Sequence, residues 1–219
     1  MPHFLDSFDL FVFDLDGTLA DTREDISDSV NHALEACGRP PVDVETVTRF
    51  VGDGARMLIE RALGPGAPEA SITSALEQFL AHYRDGCVRK TRLYPGVRET
   101  LEGLRGRDLA VLTNKPLFHS RKILARLGIE AFFRRIEGGD SVPAKKPDPS
   151  GLRLIAETLN RGLSRTLVVG DSSVDVRTAH AAGSRAAFVT YGFRPESRSE
   201  EPPDFILGSL SELVTGERS

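Results

Sequence analysis

From about residue 94 onward, short apolar segments alternate with amphipathic helical patterns. The apolar segments, together with one near the N-terminus, predict strands at residues 10–13, 109–112, 136–138, 167–169 and 186–189. Helices are predicted between them, among others at residues 152–160 and 174–182, and the tail around 200–213 is expected to add a short edge element and a final helix. Because uninterrupted apolar strands must be covered on both faces, this alternation predicts an α/β fold with a parallel sheet.

The segment between the first two predicted strands has a different pattern. It is helical throughout, with a first helix whose apolar face includes Ile26 and Val30, followed by helices at residues 44–50, 55–63 and 67–83. Thr22 and Asp25 have the spacing of a capping box at the start of the first helix. We therefore predict an all-helical cap domain at residues 20–92, inserted into an α/β core made of residues 1–19 and 93–219.

The overall composition limits the possible partners. Of 219 residues, 40% are hydrophobic and 27% are charged, and the formal net charge is -4. This balance gives no general attraction for nucleic acid or an anionic membrane, so a phosphate ligand would need a local site. The cysteines Cys37 and Cys87 lack metal-site spacing and fit a reducing compartment. Since no segment resembles a signal peptide or reaches membrane-spanning length, we expect a cytoplasmic protein. The sequence does not predict its oligomeric state.

Two carboxylates directly follow the first predicted strand. Asp14 and Asp16 are separated by the apolar Leu15, so on an extended chain both acidic side chains point the same way. Like charges at the tip of a buried strand repel each other, and a bound metal ion is the usual compensation. The simpler interpretation is an acidic turn between this strand and the next element.

Later predicted strands also end in polar groups. These are Thr113, Asn114, Lys146, Asp171 and Asp175. In an open parallel sheet the carboxyl ends of the strands meet at one edge, where ligands bind. Each group also has a local interpretation, since Thr113 and the two aspartates could cap helices and Lys146 could be a solvated surface lysine. Their joint occurrence at corresponding strand ends favours a single site.

Four segments resemble, in order and spacing, the four motifs of the haloacid dehalogenase-like hydrolase superfamily. They are Asp14-Leu15-Asp16-Gly17-Thr18, Thr113-Asn114, Lys146-Pro147 and Gly170-Asp171-Ser172-Ser173-Val174-Asp175. The segments Val51-Gly52-Asp53-Gly54-Ala55 and Tyr94-Pro95-Gly96-Val97 resemble the phosphoglycolate phosphatase branch. The resemblance spans nearly the whole chain and implies a Rossmann-like parallel sheet core with an inserted all-helical cap.

The resemblance also implies catalytic roles for Asp14 and Asp16 and metal-binding or anchoring roles for Asp171 and Asp175. Asp14 would attack phosphorus and form an aspartyl phosphate, while Asp16 would protonate the leaving alkoxide and later activate water. Mg²⁺ would be held by Asp14, Asp171 and the backbone carbonyl of Asp16. Asp175 would be an anchor behind these ligands or a further ligand. The implied partner is a small phosphorylated metabolite, with 2-phosphoglycolate as the first candidate.

The expected phosphate and substrate contacts come from the core and the cap. Thr113, the backbone of Asn114 and Lys146 would bind the phosphoryl oxygens. In the cap, the Gly52-Asp53-Gly54 turn could present backbone amides and Arg56 to a substrate carboxylate, although a capping turn with a solvated arginine is equally consistent with the pattern. Three weaker candidates for ligand contacts are Arg23, Arg84 and Lys115.

Other functions remain open at this stage. A sugar-phosphate phosphatase or a mutase resembling β-phosphoglucomutase would share the core residues and differ in the cap. A more distant alternative is a non-catalytic phosphate-binding or receiver-like signalling module. Such a module scarcely needs both Asp16 and a long helical insertion, so the sequence favours an enzyme. Asp16 further favours phosphate esters, because the superfamily members that have no alkoxide to protonate lack an acid at this position.

Overall fold

The computed structural model describes residues 7–215, and its centre is a six-stranded parallel sheet. The described strands are β1 (Leu10–Phe13), β2 (Ala20–Asp21), β3 (Arg92–Leu93), β4 (Asp108–Leu112), β5 (Arg135–Glu137), β6 (Thr166–Gly170), β7 (Arg185–Val189) and β8 (Phe205–Leu207). The sheet has the order β5-β4-β1-β6-β7-β8. All its neighbouring strands are parallel, which confirms the predicted α/β sheet.

Helices cover both faces of this sheet. They are α1 (Arg23–Ala36), α2 (Val44–Phe50), α3 (Ala55–Leu63), α4 (Glu69–Gly86), α5 (Val97–Gly103), α6 (Leu117–Arg126), α7 (Ser150–Thr158), α8 (Ser173–Ala182) and α9 (Glu212–Thr215). Alternate residues of β1 belong to two different apolar clusters, Phe11 and Phe13 to one and Leu10 and Val12 to the other. Because successive strand residues point to opposite faces, this division explains why β1 is apolar throughout.

The position of β1 decides where the site lies. After β1 the chain builds β4 and β5 on one side, and it then crosses over to build β6, β7 and β8 on the other. Phe13, the last residue of β1, is in register with Val111 of β4 and Val169 of β6. The residues that follow these three strands are therefore neighbours at a topological switch point, where open α/β sheets bind ligands.

Helices α1 to α4, called the cap helices below, lie between the two strands of a short antiparallel ribbon, β2 and β3. The sequence did not predict this ribbon, because two-residue strands carry no periodicity. Buried residues of the cap helices, such as Ile26 and Phe79, belong to the same apolar cluster as Phe13 of the core. The division into a core and a cap domain at residues 20 and 92 stays a prediction.

Most predicted elements are present with small shifts in their bounds. The tail adds β8 at the edge of the sheet and the short α9, as expected. The last cap helix runs over Glu69–Gly86 rather than residues 67–83. No helix within residues 7–215 combines the length and the hydropathy needed to cross a membrane.

The capping box predicted at the start of α1 is wrong. The Thr22 hydroxyl donates instead to Asp16 Oδ1 at 2.6 Å. The Asp25 carboxylate accepts from the backbone N–H groups of Lys90 and Thr91, near the far end of the cap segment. Both side chains satisfied the local spacing rule, but distant partners that appear only in the folded chain outcompete the local ones.

Candidate active site

Three acidic side chains converge at the carboxyl ends of β1 and β6. Asp14 directly follows β1, Asp171 directly follows β6, and Asp175 lies in the first turn of α8. One carboxylate oxygen from each lies within 4.8 Å of the others. We predicted from the sequence that these aspartates lie at one edge of the sheet, and the structure brings them together at the topological switch point.

Glycines allow the backbone to approach this acidic cluster closely. A Cβ on Gly17, which has φ +82°, would lie 2.2 Å from Asp171 Oδ2. A Cβ on Gly170 would lie 2.2 Å from Asp175 Cγ. Any larger residue would collide with a carboxylate, so these positions require glycine. The backbone N–H of Phe193 donates to Asp171 Oδ2 at 2.6 Å and fixes that side chain.

Burial and mutual repulsion make the acidic cluster costly to ionise. Burial raises the pKa of Asp14 to about 6, with further upward contributions from the charges of Asp175 and Asp16, although Lys146 opposes the shift. Burial also raises the pKa of Asp171 well above its usual range, and the nearby charges of Asp14 and Asp175 add to the effect. The cluster therefore has more negative charge than the protein compensates.

Lys146 provides the compensating charge that the chain itself supplies. Its Nζ donates to Asp175 Oδ1 at 2.6 Å and lies 2.9 Å from Asp14 Oδ1. The second contact is an ion pair without good hydrogen-bond alignment, so this buried Asp14 oxygen still has no hydrogen-bond partner within residues 7–215. Burial alone would lower the pKa of Lys146, but the two carboxylates outweigh it, and the net pKa lies above the usual lysine value.

The donor set fits a hard divalent cation. It offers only carboxylate oxygens, which Mg²⁺ and Ca²⁺ prefer, and one of them is buried without a hydrogen bond. A cation between Asp14 and Asp171 would also remove the repulsion that raises their pKa values. The Asp16 carboxylate is not part of this cluster, and a metal contact through its backbone carbonyl stays a prediction.

Asp16 lies two residues beyond Asp14 and is held by both of its carboxylate oxygens. Thr22 donates to Oδ1 at 2.6 Å, and Lys115 Nζ donates to Oδ2 at 2.8 Å. Asp16 and Lys115 are both buried, so this is an enclosed ion pair rather than a surface one. Lys115, a weak candidate in the sequence, is thus placed beside the expected general acid.

Asn114 links three segments around the site. Its Nδ2 donates to the carbonyls of Gly52 and Lys146, both at 2.9 Å, and its Oδ1 accepts from the Lys146 N–H at 2.8 Å. Thr113 is buried beside it and accepts from the N–H of Lys115 at 3.3 Å. Thr113 does not cap α6, since that helix has Pro116 at its N-cap. The side chains of both residues therefore organise the loop whose backbone is predicted to bind phosphate.

Asp175 combines its place in the acidic cluster with a role in starting α8. The N–H and the hydroxyl of Ser172 both donate to Asp175 Oδ2, at 3.3 and 2.6 Å. Its other oxygen accepts from Lys146. Asp175 therefore binds the start of α8 through Oδ2 and Lys146 through Oδ1.

The polar residues line a cavity to which the cap segment contributes apolar side chains. The apolar lining from the cap segment, called the cap wall below, consists of Ile26, Val51, Ala55, Leu58, Phe79 and Leu80. The opposing residues at the strand ends, called the core wall, are Asp14, Asp16, Thr113, Asn114, Lys146 and Asp171. The core thus contributes most of the charged and polar lining of the cavity, and the cap segment contributes mainly apolar side chains.

Three further polar residues that the sequence reasoning missed line the same cavity: Tyr83, His119 and Arg194. Tyr83 and His119 sit inside helices with ordinary amphipathic patterns, so no sequence signal distinguishes them. Arg194 follows β7, so the strand-end rule that points to the other polar groups also points to this residue.

The arginines proposed from the cap sequence lie elsewhere in this structure. Arg56 pairs with Glu60 at 2.9 Å and with Glu69 at 2.6 Å, and it does not line the cavity. Arg23 pairs with Asp21 and stacks over the Phe193 ring, 5.2 Å from its centroid. Arg84 lies over the Phe118 ring, 6.0 Å from its centroid. A substrate contact by any of these three arginines stays a prediction.

Known proteins share both the sequence and this architecture. Residues 11–189 match the family model of the haloacid dehalogenase-like hydrolases. A phosphoglycolate phosphatase from Pseudomonas putida is 41% identical over 94% of this chain and 79% of its own length. Another from Haemophilus influenzae is 38% identical over 95% of this chain and 97% of its own.

A solved structure extends the similarity to three dimensions. The crystal structure of a predicted phosphoglycolate phosphatase from Haemophilus somnus superimposes with a TM-score of 0.90 at 33% identity, covering 95% of this chain and 97% of that one. With the motifs gathered at one sheet edge and these relatives matched over 79% and 97% of their own lengths, the chain belongs to the haloacid dehalogenase-like hydrolase family, as a phosphatase that resembles the phosphoglycolate phosphatases.

Proposed function

We propose that this phosphatase hydrolyses 2-phosphoglycolate, with Mg²⁺ as cofactor, through an aspartyl phosphate on Asp14. The observation that carries the mechanism is the acidic cluster of Asp14, Asp171 and Asp175 beside Lys146. The substrate rests on the similarity to phosphoglycolate phosphatases over 94% of the chain.

In the first proposed step, a carboxylate oxygen of Asp14 attacks phosphorus. The bond between phosphorus and the ester oxygen breaks, and Asp16 donates a proton to the departing alkoxide. In the second step Asp16 takes a proton from water, the water oxygen attacks phosphorus, and phosphate leaves as Asp14 is regenerated. Thr22 and Lys115 each bind one oxygen of Asp16, so the carboxyl group of the proposed acid and base has a defined orientation.

The phosphoryl group is proposed to bind Thr113, the backbone of Asn114 and Lys146. Because Lys146 Nζ lies 2.9 Å from Asp14 Oδ1, it places positive charge beside the atoms where negative charge develops during transfer. Mg²⁺, held by Asp14, Asp171 and the backbone carbonyl of Asp16 with Asp175 as an anchor or a further ligand, would supply the charge that lets a phosphate dianion approach these carboxylates.

The cap wall is proposed to limit access of bulk water. Its side chains offer no hydrogen bonds to water, and they line the same cavity as the core wall. Exclusion of bulk water strengthens the electrostatic contacts of the core wall and restricts attack on phosphorus to a positioned water molecule.

The test is phosphate release from a panel of esters by the purified full chain. The panel contains 2-phosphoglycolate, hexose phosphates, nucleotides and pyrophosphate, each measured with Mg²⁺ and with chelator. Asp14→Asn removes the proposed nucleophile at nearly constant size and is expected to lower kcat by about 10⁴-fold or more. Asp85→Asn is the matched control, because this aspartate is exposed and does not line the cavity.

The outcomes separate the parts of the proposal. A strong preference for 2-phosphoglycolate that chelator and Asp14→Asn abolish supports the substrate, the metal and the nucleophile together. Activity spread over hexose phosphates contradicts the substrate and leaves the mechanism standing. Full activity in chelator contradicts the metal requirement, and full activity of Asp14→Asn contradicts the assigned nucleophile.

A further inference from the structure

Arg194 differs from the other cations of the cavity. Within residues 7–215, the lysines and arginines that line the cavity are Lys115, Lys146 and Arg194. Lys115 is paired with Asp16, and Lys146 is paired with Asp14 and Asp175. The Arg194 guanidinium has no ion pair and no hydrogen bond with any residue that the structure describes. Of the three cations that line the cavity within residues 7–215, Arg194 is therefore the one whose positive charge is not compensated by an acidic side chain.

The backbone around Arg194 is firmly held. The preceding N–H, that of Phe193, donates to Asp171 Oδ2 at 2.6 Å, and the Arg194 carbonyl accepts from the N–H and the hydroxyl of Ser197 at 3.0 and 2.8 Å. These bonds tie the residue to a member of the acidic cluster on one side and to a helical turn on the other. The half-buried residue Arg194 thus lines the cavity from a segment that these hydrogen bonds hold in place.

The guanidinium faces a turn of the cap that contacts the phosphate-binding loop. Its Nη1 lies 3.6 Å from the position that a Cβ on Gly52 would occupy. The Gly52 carbonyl in turn accepts from Asn114 Nδ2 at 2.9 Å. Arg194 is therefore beside the Gly52-Asp53-Gly54 turn, which the sequence analysis predicted to bind a substrate carboxylate together with Arg56. Arg194, and not Arg56, is the arginine that lines the cavity near this turn.

We propose that Arg194 binds the carboxylate of the substrate and so determines specificity for esters with a second anionic group. A partly desolvated guanidinium without a partner is unfavourable, and a carboxylate satisfies two of its N–H groups at once. The phosphoryl group has other proposed partners, which leaves Arg194 for the opposite end of a small dianionic ester. This inference rests on the proposed function and names the residue that recognises the leaving group.

The test compares two esters of nearly equal size. In ethyl phosphate a methyl group replaces the carboxylate of 2-phosphoglycolate, so the ratio of their kcat/KM values isolates recognition of that carboxylate. Arg194→Met is expected to lower this ratio about 10- to 100-fold, the value of charged hydrogen bonds, and Arg194→Lys is expected to restore part of it. Arg198→Met is the matched control, since Arg198 lies in the same turn, is exposed and does not line the cavity.

A binding measurement checks the same point without turnover. The non-hydrolysable 3-phosphonopropionate is expected to raise the melting temperature of the wild-type chain more than propylphosphonate does, and Arg194→Met is expected to abolish that difference. The melting temperature of each variant without ligand also reports whether it is folded.

Each outcome supports or overturns a defined statement. A wild-type chain that prefers 2-phosphoglycolate, together with an Arg194→Met variant that retains the preference, overturns the role of Arg194 and leaves the proposed function intact. A folded wild-type chain without that preference overturns the proposed substrate and this inference with it. An equal loss of the ratio in Arg198→Met shows that the effect is not specific to the cavity and also overturns the assignment.

Discussion

The core wall and the cap wall of the cavity are built on different physical principles. The carboxylates, the lysine and the amide of the core wall are held by hydrogen bonds or ion pairs to distant segments, as when Asn114 contacts both Gly52 and Lys146. The cap wall is held by apolar packing, with Phe79 and Ile26 in the cluster that continues into the core. Packing tolerates exchange of one apolar side chain for another better than a charge network tolerates loss of a partner. The cap wall can therefore change with the substrate while the chemistry stays in place.

The largest expected effect tests the charge network of the core wall. Lys146→Met removes the cation that pairs with Asp14 and Asp175, leaving buried carboxylates uncompensated. We expect the free energy of unfolding to fall by about 3–5 kcal/mol at pH 8 in chelator, measured by urea denaturation. Lys145→Met changes an exposed neighbour and is expected to alter it by less than about 0.5 kcal/mol. If the two variants had similar free energies of unfolding, the charge network of the core wall would not have the stabilising role given to it above.

The next effect concerns His119, where α6 meets the cap helix α4. Its ring lies 5.2 Å from the Tyr83 ring, and burial lowers its pKa to about 4, with help from Lys115. Because the folded state binds the proton more weakly than the unfolded state, the stabilisation is present above about pH 6.5 and is lost as the pH falls towards 4. We expect a loss of about 3 kcal/mol over this interval.

The measurement is the free energy of unfolding from pH 7 to 4 for the wild-type chain and for His119→Phe. The variant has no titrating group at this position, so its pH dependence should be shallower by the amount above. Parallel curves for the two proteins would show that His119 is protonated equally easily in both states.

A smaller effect on the free energy of unfolding is expected at Tyr83, a residue of α4 that lines the cavity next to the cap wall. Its buried hydroxyl has no hydrogen-bond partner within residues 7–215, and Lys115 Nζ lies over the ring, 4.8 Å from its centroid. Tyr83→Phe is expected to raise the free energy of unfolding by about 1 kcal/mol, because it removes an unsatisfied polar atom. Tyr191→Phe is the contrast, since that hydroxyl donates to the Thr18 carbonyl at 2.9 Å, and its loss should destabilise by about 1 kcal/mol.

The smallest effect is expected at Arg56 on the cap surface. Its pairs with Glu60 and Glu69 are exposed, and solvent screens such pairs. Arg56→Met is expected to leave the urea midpoint nearly unchanged and to keep kcat/KM for 2-phosphoglycolate within about twofold of wild type. A tenfold or larger loss in kcat/KM would instead support the contact with substrate that the sequence suggested.

Much of the fold could be predicted because its determinants are local. The apolar runs that became β1, β4 and β6 were visible as continuous segments, and the helical patterns of the cap segment were equally clear. The ribbon of β2 and β3 was missed because it is two residues long on each side. The prediction of a capping box at Thr22 was wrong because the spacing rule considers only neighbouring residues, whereas in the folded chain the Thr22 hydroxyl donates to Asp16.

The site shows the same division between local and long-range information. Asp14, Asp171 and Lys146 were identified because they follow strands whose ends must meet at one edge. Arg194 follows the end of β7, and the same rule applies to that strand. Tyr83 and His119 line the cavity from the interiors of α4 and α6, and the residues around them in the sequence do not indicate a site.

The sequence by itself determined the alternation of strands and helices, the family and the polar groups at the strand ends. These follow from periodicity and motif order, which are properties of neighbouring residues. Only the tertiary structure decided that Thr22 and Lys115 hold Asp16, that Arg56 pairs with glutamates outside the cavity and that Arg194 lines it without a partner. The physical reason is that hydrogen bonds and ion pairs depend on distances between side chains far apart in the chain, and folding alone sets those distances.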